Sequence, residues 1–210
     1  MYTVRDVKTM CYRTLNQRWP SALVWDDSMI WYINMALHDI YTYEWRAWTF
    51  TKKKIVITES MFNELWWTLT SKITLEAPII RILFLKDTSD RLSKFTIKYV
   101  DEPLLPWEIS YDMYSKVVSI YNNNYWWSNW WYTLHYISSF DKLTNLDDII
   151  PLPDAFIWSL YNLVMAYALN TYWQYWDNKT VTTYQAAQNQ LKNLSQYDSF
   201  QITKVQSNIV

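Results

Sequence analysis

A chain of 210 residues without a single glycine must build its turns and helix ends without the one residue that enters the left-handed backbone region freely. Average usage near 7% would supply roughly 15 glycines over this length. The chain has 15 tryptophans instead. Several of them sit where glycine belongs. Trp126, Trp127, Trp130 and Trp131 surround Ser128-Asn129 after three asparagines, in a stretch that reads as a hairpin loop only if these positions are small. Trp173 and Trp176 fall between two helical patterns, where a glycine commonly ends the first helix. Trp66, Trp67 and Trp107 occupy similar breaks. The pattern is that of a chain in which tryptophan is written at many positions where glycine stands, through a recoded codon or a translation mismatch. Trp25 and Trp31 border a helix able to bury them and are expected to be true indoles.

Half the residues are hydrophobic, enough for a sizeable core in one domain or in a core domain with an inserted lobe. The 19 basic and 20 acidic residues leave a net charge of −1, so no global field holds nucleic acid to the monomer. Cys11, on an apolar helical face, reads as a small buried hydrophobe and leaves no disulfide or cysteine metal site. The opening residues lack the pattern of a signal peptide, and the apolar stretch 155–169 is shorter than the ~20 residues a spanning helix needs. No membrane partner is expected.

Thr3 and Asp6 resemble a helix cap, and Val4, Val7, Met10, Cys11 and Leu15 recur at helical spacing, predicting a helix over 4–17 closed by Pro20. Asp26 and Asp27 start a second, reaching 43 or 44. From residue 50 the period changes to short β-branched and aromatic runs at 54–58, 68–75, 79–86, 94–100, 116–121 and 132–137, with a loop or short helix over 103–114. Helical spacing returns after Pro151 and Pro153, predicting helices over 154–172 and 179–195, followed by an extended tail over 197–210. The expected class is α+β: a four-helix core from 1–49 and 150–198, a β-rich lobe over 50–149 inserted between the helix pairs, and an extended arm over 199–210.

Chemistry is sparse. The lone histidines His38 and His135 announce no partner nucleophile or ligand cluster and read as structural. Asp26-Asp27 and Asp147-Asp148 lie at or just before helix starts, where capping explains them better than acid–base work. Phosphate-cradling loops need glycine, and restoring glycine at every tryptophan creates no GxxxxGK(S/T) motif. No catalytic residue, metal or cofactor is expected. Lys52-Lys53-Lys54 opens the first predicted strand. It reads as a charged edge that deters strand-to-strand aggregation, or as a basic ring when several subunits place it on one surface.

The order of signals resembles the head-to-tail adaptor, or connector, proteins of tailed bacteriophages. Three stretches carry the resemblance: the opening helix; Trp25-Asp26-Asp27-Ser28-Met29-Ile30-Trp31-Tyr32-Ile33-Asn34-Met35-Ala36-Leu37-His38-Asp39-Ile40; and Tyr132-Thr133-Leu134-His135-Tyr136 with Leu146-Asp147-Asp148-Ile149-Ile150-Pro151-Leu152-Pro153 and the closing helix pair with Tyr184 and Ala187. A helix opened by Trp-Asp with an Ile-Asn-x-Ala run, and a Leu-Pro approach to the last helices, recur in that family. The β-rich middle is longer than in many small adaptors.

The resemblance implies a mechanical role in the virion neck, after assembly in the host cytoplasm. A homo-oligomeric ring, about twelvefold, would dock on the portal protein, continue the DNA channel with only non-specific proximity to the DNA, and receive the next neck or tail protein. It further implies Tyr197, Phe200, Ile202, Val205 and Ile209 as the portal-docking arm, and Lys52, Lys53 and Lys54 as a channel or surface basic run. Two alternatives stand beside it: another collar, stopper or tail-completion ring protein, and, of a different class, a small ligand-binding domain or enzyme built on the β lobe.

Overall fold

The computed structural model describes residues 1–16, 26–57, 70–86, 96–98, 108–121, 132–173 and 178–207. The protein is a mixed α+β chain with four helices and two sheets. It divides into two compact units, one formed by residues 1–50 with 142–210 and the other by residues 51–141.

The first unit holds α1 (Val4–Asn16), α2 (Asp26–Thr42), α3 (Ile157–Trp173) and α4 (Asn178–Ser207). Thr3 and Asp6 start α1 as a reciprocal cap: the Asp6 carboxylate accepts from the Thr3 N–H at 2.8 Å, and the Thr3 hydroxyl accepts from the Asp6 N–H at 3.2 Å. Helix α2 buries Met29, Ile33, Ala36, Leu37 and Ile40, the face its spacing predicts. Helix α3 is the most apolar of the four, and it packs against each of the other three. Full burial of each such side chain contributes about 1.5–3 kcal/mol.

Trp48 fills the space after α2. It is fully buried, donates its indole N–H to the Ile40 carbonyl at 2.7 Å, and meets Phe156 edge-on at 5.0 Å. Tryptophan, not glycine, is what the fold uses here. Trp31 departs from expectation, since it stands 52% exposed on α2 and only edges against Tyr32. Trp173 is the last residue of α3. Trp25, Trp66, Trp67, Trp107, Trp126, Trp127, Trp130, Trp131 and Trp176 lie outside the described residues. Positive φ, the region that favours glycine, occurs among the described residues at Glu44 (47°) and Tyr114 (65°), neither of them a tryptophan position.

Two boundaries differ from the sequence reading. The expected extended tail is helical: α4 runs to Ser207, because residues 178–207 hold no proline or glycine to stop it, and the first unit holds its later turns. The Arg46 guanidinium donates to the Ser195 carbonyl, and the Thr49 N–H to the Asp198 carboxylate at 3.2 Å. The expected loop over 103–114 contains a seventh strand.

The second unit carries those strands: β1 (Lys52–Ile57), β2 (Thr70–Thr74), β3 (Ile79–Lys86), β4 (Thr96–Lys98), β5 (Glu108–Tyr111), β6 (Val117–Tyr121) and β7 (Tyr132–Ser138). Residues 58, 68–69, 94–95, 99–100 and 103–107, which the sequence reading assigned to strands or loop, lie outside the described residues. One sheet has the order β1-β7-β3 and is antiparallel throughout. The other, β2-β6-β5-β4, is antiparallel except where β4 and β5 run parallel. β5 is short, and its neighbours on both sides, rather than any alternation of its own, define it as a strand. The two sheets share one hydrophobic cluster, to which Ile57, Leu85 and Leu134 come from the first and Ile73, Ile109 and Ile120 from the second. The unit begins and ends on paired strands: Lys52 lies opposite Ile137, and the Ser138 hydroxyl donates to the Thr51 carbonyl at 3.1 Å. Among the described residues no helix is long and apolar enough to cross a membrane.

Candidate nucleic-acid interface

The lysine run lands on an edge. β1 pairs only with β7 in its sheet, and Lys52, Lys53 and Lys54 are all exposed. Side chains alternate across a strand, so Lys52, Lys54 and the half-exposed Val56 share the face away from the cluster that buries Ile57.

Register extends that face across the sheet. Lys54 lies opposite His135, and His135 opposite Phe84; Val56 lies opposite Thr133, and Thr133 opposite Lys86; Lys52 lies opposite Ile137, and Ile137 opposite Arg81. Leu134 and Tyr136 point the other way into the cluster. The outward face therefore carries Lys52, Lys54, Arg81 and Lys86, with Phe84 and His135 stacked between them at 4.5 Å and 28°. The Lys86 ammonium stands over the Phe84 ring at 5.8 Å from its centroid. The face is open around Lys54 and Val56, half-buried at His135, Phe84 and Lys86, and closed at Ile137.

Charge on these strands has one sign. β1, β3 and β7 together hold three lysines of the run, Arg81 and Lys86, and no aspartate or glutamate. Among the described residues none of the ion pairs involves Lys52, Lys53, Lys54 or Arg81. The opposite sheet is handled differently, since Lys98 is paired with Glu108 at 2.9 Å. Residues two apart on a strand are separated by ~7 Å and adjacent strands by ~4.8 Å. On these spacings Lys54 and Arg81 each lie within a Debye length, about 10 Å at 0.1 M salt, of Lys52, so their potentials add.

The sequence reading picked out the lysines and missed Arg81, Phe84, Lys86 and His135. His135 was read as structural, and it is half-buried against Phe84. The other expected residues are elsewhere. Tyr197 is exposed on α4, while Phe200, Ile202 and Val205 fall within the helical span of α4, and Ile209 lies outside the described residues. The lysine run and these residues belong to different units.

Carboxylate pairs serve the fold. Asp26 pairs with Lys8, and Asp147 takes a two-nitrogen contact from Arg5 at 2.8 and 3.1 Å. Asp148 accepts from the Thr144 and Asn145 N–H groups at 2.7 and 2.9 Å, which holds its carboxyl below the ordinary value. His38 is exposed, 3.9 Å from the Asp39 carboxylate, which also accepts from the Tyr167 hydroxyl. Burial pushes the Cys11 thiol up to about 12, so it is a packing group and not a nucleophile. Among the described residues no three His, Cys, Asp or Glu side chains are grouped to hold a metal ion.

No protein-family model matches this chain, and no curated protein is significantly similar to it.

Proposed function

We propose that this chain is a structural protein of a tailed-phage neck, which assembles into a ring of about twelve subunits between the portal protein and the next neck or tail protein and continues the DNA channel. In this reading α1 and α2 with α3 and α4 form a four-helix core, and the strands of residues 51–141 form a lobe inserted into it. The ring is assembled in the host cytoplasm and resides in the virion.

One observation carries the reading. Two of the separated stretches on which the adaptor resemblance rests, the Ile33-Asn34-Met35-Ala36 helix and the segment leading through Leu146-Asp147-Asp148 to Pro151-Leu152-Pro153, meet in one unit. Asn34 grips Leu143 just before that segment through two hydrogen bonds of 3.0 Å, and the Tyr41 hydroxyl donates to the Pro151 carbonyl at 2.6 Å. Each contact joins a residue of one stretch to a near neighbour of the other, which supports the two stretches lying side by side on the approach to α3. The last turns of α4, from Tyr197 onward, are the portal-docking element in helical form.

Native mass spectrometry of the purified chain, alone and mixed with the portal protein of the same virus, tests this. A closed ring in either sample is expected. A monomer in both would overturn the proposal.

A further inference from the structure

We infer that the outward face of the β1-β7-β3 sheet binds the phosphate backbone of duplex DNA, with Lys52, Lys54, Arg81 and Lys86 as the phosphate ligands. This deepens the neck reading by naming the surface that would meet DNA, and it is tested apart from that reading.

Charge complementarity carries the inference. A protein with a net charge of −1 has gathered five cations and no carboxylate on three adjacent strands. Holding Lys52, Lys54 and Arg81 close together has a repulsive cost in the isolated chain, which a polyanion removes. Edge protection accounts for cations on β1 and on β3, both of them edge strands, but does not require them to share one face. Arg81 and Lys86 lie two strands away, on the opposite edge, and on the same face. The cations thus flank both edges of the sheet on one face, with His135 of the central strand between them.

The aromatic pair decides which polyanion fits. Proteins that take unpaired bases offer open ring faces on which a base can stack. Here Phe84 and His135 cover one face of each other, and Lys86 stands above the Phe84 ring. Both rings are thus partly covered, which argues against a platform for stacked bases. What remains is a set of cations spread over a sheet face, which matches contact to the phosphate backbone. Binding of this kind is independent of sequence and falls steeply with salt as counterions are released. Four phosphate contacts predict a slope of log K against log salt near −3.6 for a duplex, about 0.9 per contact. That corresponds to a roughly 100-fold loss of affinity between 50 and 200 mM salt.

The test is fluorescence anisotropy of a labelled duplex titrated with the full-length chain over that salt range. The double variants Lys52→Gln/Lys54→Gln and Arg81→Gln/Lys86→Gln are compared with Lys72→Gln, an exposed lysine on the other sheet. Circular dichroism verifies that each variant is folded. Each double variant is expected to flatten the slope by about 1.8, and Lys72→Gln to leave it unchanged. A duplex that does not bind at the lowest salt, or equal losses in all three variants, overturns the inference. So does a surface that takes phosphatidylserine vesicles or a poly-glutamate peptide in preference to the duplex. A ring that forms without binding DNA would sink this inference and leave the neck reading standing. A chain that binds DNA through this face and never forms a ring would do the reverse.

Discussion

The side-chain amide of Asn34 both donates to the carbonyl of Leu143 and accepts from its N–H, each at 3.0 Å, although 109 residues separate them. The amide imitates one rung of a β-ladder between a helix and a passing strand of backbone, and its nitrogen also meets the Ile30 carbonyl at 2.9 Å. Asn34→Ala strips both groups of Leu143 of their partner and is expected to destabilise the first unit by roughly 1–3 kcal/mol. Asn34→Asp keeps the acceptor and loses the donor, setting a carboxylate against the Leu143 carbonyl, so it should be at least as harmful. Urea unfolding followed at the helical dichroism band measures both. Variants as stable as the parent would show that the clamp carries no stability.

At Trp48, which is fully buried, indole and glycine are readily told apart. Trp48→Ala should destabilise by about 3–5 kcal/mol, because a fully buried indole is lost from among Phe50, Phe156 and Tyr43. Trp48→Phe should lose less, since it keeps a ring and gives up the donor to Ile40. Peptide mapping of the natural protein is expected to find tryptophan at 48 whatever it finds in the turns. An intact mass near 25.6 kDa would establish indoles at all 15 positions.

Tyr114 is the converse case. Its φ of 65° places a Cβ-bearing residue in the left-handed region, in the turn between β5 and β6 where its N–H donates to the Ile79 carbonyl at 2.7 Å. A left-handed residue with a Cβ costs about 1–2 kcal/mol. Its side chain is 45% exposed. Tyr114→Gly is therefore expected to raise the melting temperature, by the equivalent of up to about 1 kcal/mol once the entropy of glycine in the unfolded chain is subtracted. A lower melting temperature would show that the ring holds the turn.

Asp148 ties stability to acid. Its carboxyl lies below the ordinary 3.8 because the N–H groups of Thr144, first, and Asn145 favour the ionised form. A folded-state value below the unfolded one means the contribution is present above the unfolded pKa and disappears as pH falls through the folded one. Melting curves of the parent and Asp148→Asn should therefore be separated near pH 7 and converge as pH drops below roughly 4. A separation that is constant down to pH 2 would refute this role for the charge.

Local pattern made most elements legible. The Thr3–Asp6 cap, the apolar spacing of α2 and the β-branched runs of β1, β3 and β7 all speak through nearest neighbours in sequence. β5 could not be found that way, because Ile109, Ser110 and Tyr111 are all buried and alternate in nothing; partners on each side make them a strand. The end of α4 depended on Arg46 and Thr49, nearly 150 residues away. The basic face was half visible. Three lysines in a row are plain, but strict alternation along β3 would set Arg81 on the side opposite Phe84 and Lys86. The irregularities between Ile79 and Arg81 and between Ile82 and Phe84 bring them to one face.

The pairing of β1 with β7 has a consequence for how this chain can change. Because the first and last strands of residues 51–141 are hydrogen-bonded neighbours, the two ends of the segment meet, and along the chain it is a branch that starts and stops at almost one point. Its internal length can grow or shrink without altering the distance the flanking helices must bridge. Such a branch can be exchanged whole for another whose ends also meet, so a lineage could retune what the strands touch while the helices keep their own neighbours.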